Sequence, residues 1–424
     1  MTTASSPDAK KQYLISITII AMMFFIFGFV TWTNGTLIPY LKIACQLESD
    51  FQAYLVATAF FIAYTVMAIP SSMVLRKTGY KKGMFIGLCV MAGGALFFIP
   101  AAQARNFNMF LAALFILASG LALLQTASNP YATIIGPIES AATRISIMGI
   151  CNKVAGIIAT WIFGSIALKD ADALIENLKT MDAVTKAATL DELAGRVILP
   201  YAITAAVLIV FAVIILFSSL PDLNDEGEES VATDNKQKKT SVFQYPYLVL
   251  GVITLFLYVG AEVIAGDTII SYGKSLGIEF AFARYFTIAT LVCMLLGYIV
   301  GIFMIPKYLS QGTALRICAI LGIAFTVLAV FTSGYVSVAF IALLGLANSL
   351  IWPAMWPLAI GGLGKFTKIG SALMIMAIAG GAVIPLIYGK LSESVGTQQA
   401  YWVMLPCYLF ILFYAVKGHK IGKA

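Results

Sequence analysis

The chain has 424 residues, 60% of them hydrophobic and only 11% charged. A soluble domain carries about 25% charged residues, so a soluble globular protein is excluded. The formal charge of +7 sits in short loops between apolar runs, which suits anionic lipid and membrane topology and not nucleic acid.

The six cysteines are scattered, mostly inside apolar runs, with no metal or disulfide spacing, so no metal site is expected. The single histidine, His419, lies in the C-terminal tail. A His-dependent triad, a HExxH site or a histidine proton relay inside the membrane is therefore excluded.

Residues 1 to 12 form a polar tail with Lys10 and Lys11. The first apolar run is too long for the core of a cleavable signal, so none is expected. Span 1 is predicted over Leu14–Leu41, and its second half, Thr31 to Thr36, is too polar for a lipid-facing helix. Asn34-Gly35 with Pro39 following weakens the helix there, and such breaks are tolerated only against protein or a water-filled cavity. Spans 2 and 3 are Gln52–Leu75 and Gly83–Ala102, joined by the basic turn Arg76–Lys82. Topology alone accounts for that turn. Spans 4, 5 and 6 are Met109–Ile135, Ile145–Leu168 and Val197–Leu220, with an alanine-rich helical loop of mixed charge over 169–196. Spans 7 to 12 follow at 246–272, 284–306, 313–333, 336–360, 370–391 and 400–416.

Between the sixes lies a connector that opens acidic and ends basic, a solvated linker. The expected organisation is a six-helix bundle over 1–220, a linker over 221–245 and a second six-helix bundle over 246–424. Lys and Arg are concentrated in one set of loops, which places both termini and the linker in the cytoplasm.

An internal repeat supports the division. The stretch Gly120–Gly164 aligns without a gap on Gly345–Gly389, 225 residues later, matching Gly120, Gly136, Gly156 and Gly164 to Gly345, Gly361, Gly381 and Gly389. Two related six-span halves make an all-α membrane protein of twelve transmembrane helices with the major facilitator fold, whose substrate site lies near the midplane between the halves. Polar residues inside those spans imply a transporter.

The residues then narrow the family. Leu123 to Tyr131 (LLQTASNPY) resembles the fourth-helix signature of the fucose permease and glucose/galactose transporter family, as do Asn34–Pro39, Tyr258–Glu262 and Thr367–Ser371 elsewhere. The resemblance covers nearly the whole chain. It implies import of a neutral hexose of the glucose, galactose or fucose class, coupled to a proton or sodium, across a bacterial inner membrane. No bound cofactor is expected beyond that co-transported ion. The partners are the sugar and the lipid bilayer, with no nucleic acid, and the protein is expected to be a monomer. Two departures stand out. In the fucose-transporting branch an acidic residue follows the span 1 Asn and a glutamate opens the span 4 signature; here these are Gly35 and Gln125. Gln125 is what the glucose/galactose branch carries. Loss of both carboxylates leaves an uncoupled uniporter as the alternative. An N-acetylated or acidic sugar, and a membrane sugar sensor, are further alternatives. An enzyme is not expected, since no catalytic constellation stands at a membrane face.

The intramembrane charges are Lys153 on span 5 and Glu262 and Asp267 on span 7. Isolated charges in lipid cost at least about 2.5–3.5 kcal/mol, so these face a cavity or a partner. They are the coupling candidates, with Lys153 opposite Glu262 or Asp267. Five residues apart, Glu262 and Asp267 point about 140° apart on an unbroken α-helix and would not share a site unless Gly260 or Gly266 breaks it. The substrate-binding candidates are Gln125, Asn129, Asn152, Glu262, Asn348, Trp352, Asn34, Trp32 and Trp356. Gln125 and Asn129 share one face of span 4 at i, i+4, and their amides both donate and accept, as a sugar hydroxyl does. Asn348, Trp352 and Trp356 form a stripe at i, i+4, i+8 on span 10, where aromatic rings suit the C–H face of a pyranose. The resemblance places Asn152 and Trp352 at positions that face the permease's cavity. The competing reading for each amide is an interhelical hydrogen bond, and for Trp356 an interfacial belt.

Overall fold

The computed structural model describes residues 7–134, 141–218, 241–305 and 307–423. Of the expected linker 221–245, only 241–245 falls among them, and Gly136 of the repeat lies outside the described residues. Every described element is helical.

Span 1 is α1 (Pro7–Thr31) and α2 (Asn34–Ala44), interrupted at Trp32 and Thr33. The polar stretch thus breaks the helix where its composition predicts. The next helix, α3 (Asp50–Gln103), has 54 residues. That is about 81 Å at 1.5 Å per residue, against ~30 Å of hydrocarbon. Gly79 resolves the excess: its φ of 75° and ψ of 172° are non-helical, which only glycine adopts at no steric cost. Helix α3 is therefore spans 2 and 3, and eleven long apolar helices become twelve crossings. Spans 4 and 5 are α4 (Phe107–Ile134) and α5 (Ala141–Ala167). The following loop holds α6 (Ala171–Asn177) and α7 (Ala183–Gly195), and span 6 is α8 (Ile198–Phe217). Asp182 caps α7, accepting from the Val184 and Thr185 amides at 3.0 and 3.1 Å, which satisfies donors a helix start leaves open.

Span 7 is α9 (Pro246–Val263), a π-helical turn (Ile264–Thr268) and α10 (Ile269–Ser275). After the short α11 (Phe280–Ala283), spans 8 and 9 are α12 (Phe286–Met304) and α13 (Gln311–Phe331). Span 10 is broken at Leu350 into α14 (Gly334–Ser349) and α15 (Ile351–Ile360). Span 11 is α16 (Thr367–Met376), a 3-10 turn (Ala377–Ala379) and α17 (Gly380–Val395). The chain closes with α18 (Thr397–Ala400) and α19 (Met404–Val416), which is span 12. Large apolar side chains such as Ile203, Phe217 and Phe303 stand exposed on the perimeter, at 56%, 82% and 72%; only lipid covers such a surface.

Small residues let the spans approach, as membrane helix packing requires. A Cβ on Gly28 of span 1 would lie 1.8 Å from the Asn152 carbonyl oxygen of span 5, and one on Gly380 of span 11 would lie 1.7 Å from the Phe256 carbonyl oxygen of span 7. The same helix pair is thus clamped in each set of six. The last glycine of each repeat meets the opposite set. Gly164 faces Arg284 at the start of span 8, and its counterpart Gly389 faces Phe51 and Tyr54 at the start of span 2.

The face opposite the termini is closed by two contacts between the sets. Asp172 on α6 pairs with Lys274 on α10 and accepts from the Ala281 amide at 3.4 Å. Glu393 on α17 accepts from the Phe51 amide at 3.2 Å. Deeper, the Thr58 hydroxyl donates to the Ala382 carbonyl at 2.9 Å, and the Tyr54 and Tyr388 rings meet edge-on at 5.6 Å.

Candidate functional site

A cavity of about 120 Å³ lies between the first six spans and the last six, well above the ~10–15 Å³ that admits a single water. Its charged lining residues are Lys153, Glu262 and Asp267. The Lys153 ammonium is 3.1 Å from Glu262 Oε1, with the two side chains 7% and 13% exposed. It also lies over the Trp32 ring, 4.3 Å from its centroid. A desolvated cation over an indole gains about 2 kcal/mol, so Trp32 and Glu262 together offset part of the cost of burying Lys153. Of the two carboxylates the sequence offered, Glu262 is the one that pairs.

Asp267 lies in the π-helical turn, is 2% exposed and lines the same cavity. On an α-helix it would face away from Glu262. The π turn inserts the extra residue that brings both carboxylates to one space. Threonines hold the turn: the Thr287 hydroxyl donates to the Gly266 carbonyl at 2.7 Å, that of Thr290 to the Ala265 carbonyl at 3.3 Å, and that of Thr268 to the Ile264 carbonyl at 2.8 Å.

Gln125 and Asn129 both line the cavity from span 4. Gln125 Nε2 donates to the Tyr64 hydroxyl at 3.1 Å, while its Oε1 makes no hydrogen bond among the described residues. Asn152 lines the cavity and also binds span 1: its Oδ1 accepts from Trp32 Nε1 at 3.1 Å, and its Nδ2 donates to the Phe24 carbonyl at 3.4 Å. Both readings of Asn152, lining and gluing, hold together. Trp32 is fixed further by the Thr160 hydroxyl, which donates to its carbonyl at 3.2 Å. Trp352 reaches the cavity from span 10.

Three expected residues do not line it. Asn348 is fully buried, and its Oδ1 accepts from the Tyr408 hydroxyl at 2.9 Å. Asn348 and Trp352 stand on either side of the turn at Leu350, and of the two only Trp352 lines the cavity. Trp356 lies behind Trp352, ring stacked on ring at 5.5 Å and 17°; at 5% exposure it is a packing residue and not an interfacial one. Asn34 sits past the break in span 1, fully buried, with neither amide atom hydrogen-bonded.

Sequence reasoning missed Tyr64, Tyr258 and Tyr298, which also line the cavity. Tyr258 had a signal, since it stands four residues before Glu262 on the same helix. Tyr64 and Tyr298 had none, being aromatic residues within uniformly apolar spans. The assembled site offers amides and phenols for hydroxyl groups, an indole face for apolar C–H groups, one closed ion pair and one open carboxylate.

The Major Facilitator Superfamily model matches residues 20–368. The glucose/galactose transporter of Brucella abortus biovar 1 (strain 9-941) is 34% identical over 420 residues, covering 97% of this chain and 96% of that one. The L-fucose-proton symporter of Escherichia coli (strain K12) is 28% identical over 411 residues, covering 96% of this chain and 93% of its own. Among solved structures, the transporter FucP in the outward conformation superposes with a TM-score of 0.74 at 28% identity, covering 95% of this chain and 98% of that one. The chain belongs to the Major Facilitator Superfamily. It is a membrane-spanning transporter and not an enzyme, and it resembles the superfamily's sugar carriers along almost all of its length.

Proposed function

We propose that the protein is a secondary active transporter that imports a neutral hexose of the glucose, galactose or fucose class, coupled to protons or sodium. The carrying observation is one cavity between the two sets of six spans that holds amides and an indole beside an ion pair and a second carboxylate. Relatives over the full length of the chain are glucose/galactose transporters and L-fucose-proton symporters, which supports the substrate class. In this reading Gln125, Asn129 and Asn152 take hydroxyls, Trp352 packs on the sugar ring, and Lys153, Glu262 and Asp267 serve coupling. Trp32 holds Lys153 and Asn152 in place. Because Lys153 already has a carboxylate partner, the cavity offers no spare cation for an acidic sugar.

The halves, 1–220 and 246–424, rock about the cavity to expose it to either side. Both termini and the linker 221–245 are cytoplasmic, the membrane is a bacterial inner membrane, and the working unit is a monomer. The test is radiolabelled hexose uptake into proteoliposomes with proton and sodium gradients imposed one at a time. Accumulation under one gradient supports the symporter and names the ion. Exchange without accumulation under either makes the protein a uniporter, the alternative that the missing carboxylates at Gly35 and Gln125 favour.

A further inference from the structure

Three charges line the cavity, one positive and two negative, and only one negative charge is answered. Glu262 is closed by Lys153 at 3.1 Å, and that ammonium also lies over the Trp32 ring. Asp267, 2% exposed, makes no hydrogen bond or ion pair among the described residues. With all three ionised the cavity carries one net negative charge inside the membrane, where an unanswered charge is strongly disfavoured. One bound monovalent cation makes it neutral.

The surroundings of Asp267 suit such a site. Span 7 is interrupted there by the π turn, and span 1 is interrupted opposite it. Interrupted membrane helices that face each other are where carriers place ions. The two breaks touch through Trp32, whose ring lies 2.4 Å from where a Cβ on Gly266 would stand, and just past the span 1 break a Cβ on Gly35 would lie 3.1 Å from the Gly266 carbonyl oxygen and 3.3 Å from Asp267 Cα. The residues on either side of Gly35 carry uncommitted polar atoms. Both amide atoms of Asn34 and the hydroxyl of Thr36 are buried without a hydrogen-bond partner.

We infer that Asp267 is the binding site of the coupling cation, a proton or a sodium ion, at one cation per transport cycle, and that the Lys153–Glu262 pair does not bind it. The inference rests on the symporter reading. Cation binding leaves the cavity neutral, and the two halves then close around cation and sugar together. Position 35, glycine here, lets the span 1 break come up against the Asp267 backbone.

Two measurements on the full-length protein test this. In detergent, tryptophan emission is followed during a sodium titration and a pH titration, since Trp32 packs against Gly266 of the π turn. Wild type is expected to respond to one cation, and Asp267→Asn to lose that response. No response of wild type to either cation, or the same response in Asp267→Asn, overturns the site. In proteoliposomes, currents and uptake of radiolabelled glucose, galactose and fucose are recorded together. Wild type is expected to move one charge per sugar. Asp267→Asn is expected to lose accumulation at least tenfold, with residual exchange indifferent to the cation and Asp267→Glu restoring part of the coupling. Two charges per sugar, or full accumulation in Asp267→Asn, overturns the inference while leaving the symporter reading intact. If wild type exchanges none of the three sugars, the substrate reading fails and the cation titration still decides the site. Should Asp267→Asn not fold, Asp267→Ser takes its place in both measurements with the same expected losses.

Discussion

Gly266 on span 7 lies directly against the indole of Trp32 on span 1: a Cβ there would stand 2.4 Å from the ring. The contact joins the two sets of six spans at the cavity wall, beside both Lys153 and Asp267. Gly266→Ala therefore displaces the indole or the π turn. Overpacking of this kind costs about 1–3 kcal/mol, and transport should fall more than stability does. The check is thermal unfolding of the purified variant beside its uptake rate; wild-type values for both would show that the wall yields freely.

Lys153 and Glu262 are buried as a pair, so each neutralisation strands a charge. Lys153→Met and Glu262→Gln are each expected to cost about 3–5 kcal/mol of stability. The double variant should be less damaged than the sum of the two, by about 0.5–3 kcal/mol in a double-mutant cycle. Strict additivity in thermal unfolding would mean that the contact carries no energy.

Trp352 presents its ring to the cavity and is backed by Trp356. Trp352→Ala should weaken sugar affinity by about 1–2 kcal/mol, roughly tenfold, while Trp352→Phe keeps most of it. Equilibrium binding of the transported hexose measures both. Equal losses in the two variants would point to packing and not to a ring-on-sugar contact.

Asn348 separates a site role from a structural one. Asn348→Ala removes the acceptor of the buried Tyr408 hydroxyl and should cost about 1–3 kcal/mol of stability, with hexose affinity changed by less than about twofold. A large affinity loss with unchanged stability would return Asn348 to the site.

Much of this was legible in the chain. Apolar run lengths give the spans, and the break in span 1 follows from its polar stretch. Lys153 could be matched to one of two span 7 carboxylates, Glu262 or Asp267, because ionisable groups in a membrane need partners; which of them pairs could not be read from the chain. What escaped were departures from α-helical regularity. Gly266 marked a possible break, but nothing in IAGDT specifies a π turn, and that turn brings Asp267 to the cavity beside Glu262. The break at Leu350 is equally silent, and of the stripe on which Asn348 was expected to join Trp352 only Trp352 lines the cavity. Tyr64 and Tyr298 were hidden because a tyrosine in an apolar span reads the same whether it faces a cavity or a neighbouring helix.

The closed face opposite the termini has a consequence for the medium that bathes it. Asp172 follows span 5 and Glu393 ends span 11, the corresponding place in the second repeat, and each reaches across to the other half. The two sets of spans are thus fastened at two places on that face. The two clasps are not made of the same material. One is an ion pair across the halves, open to screening by dissolved salt; the other is a carboxylate on a backbone amide, whose ion partner Lys390 lies on its own helix and not across the halves. Raising the ionic strength on that face should loosen one clasp and spare the other, so the opening step should quicken modestly with salt and then level off.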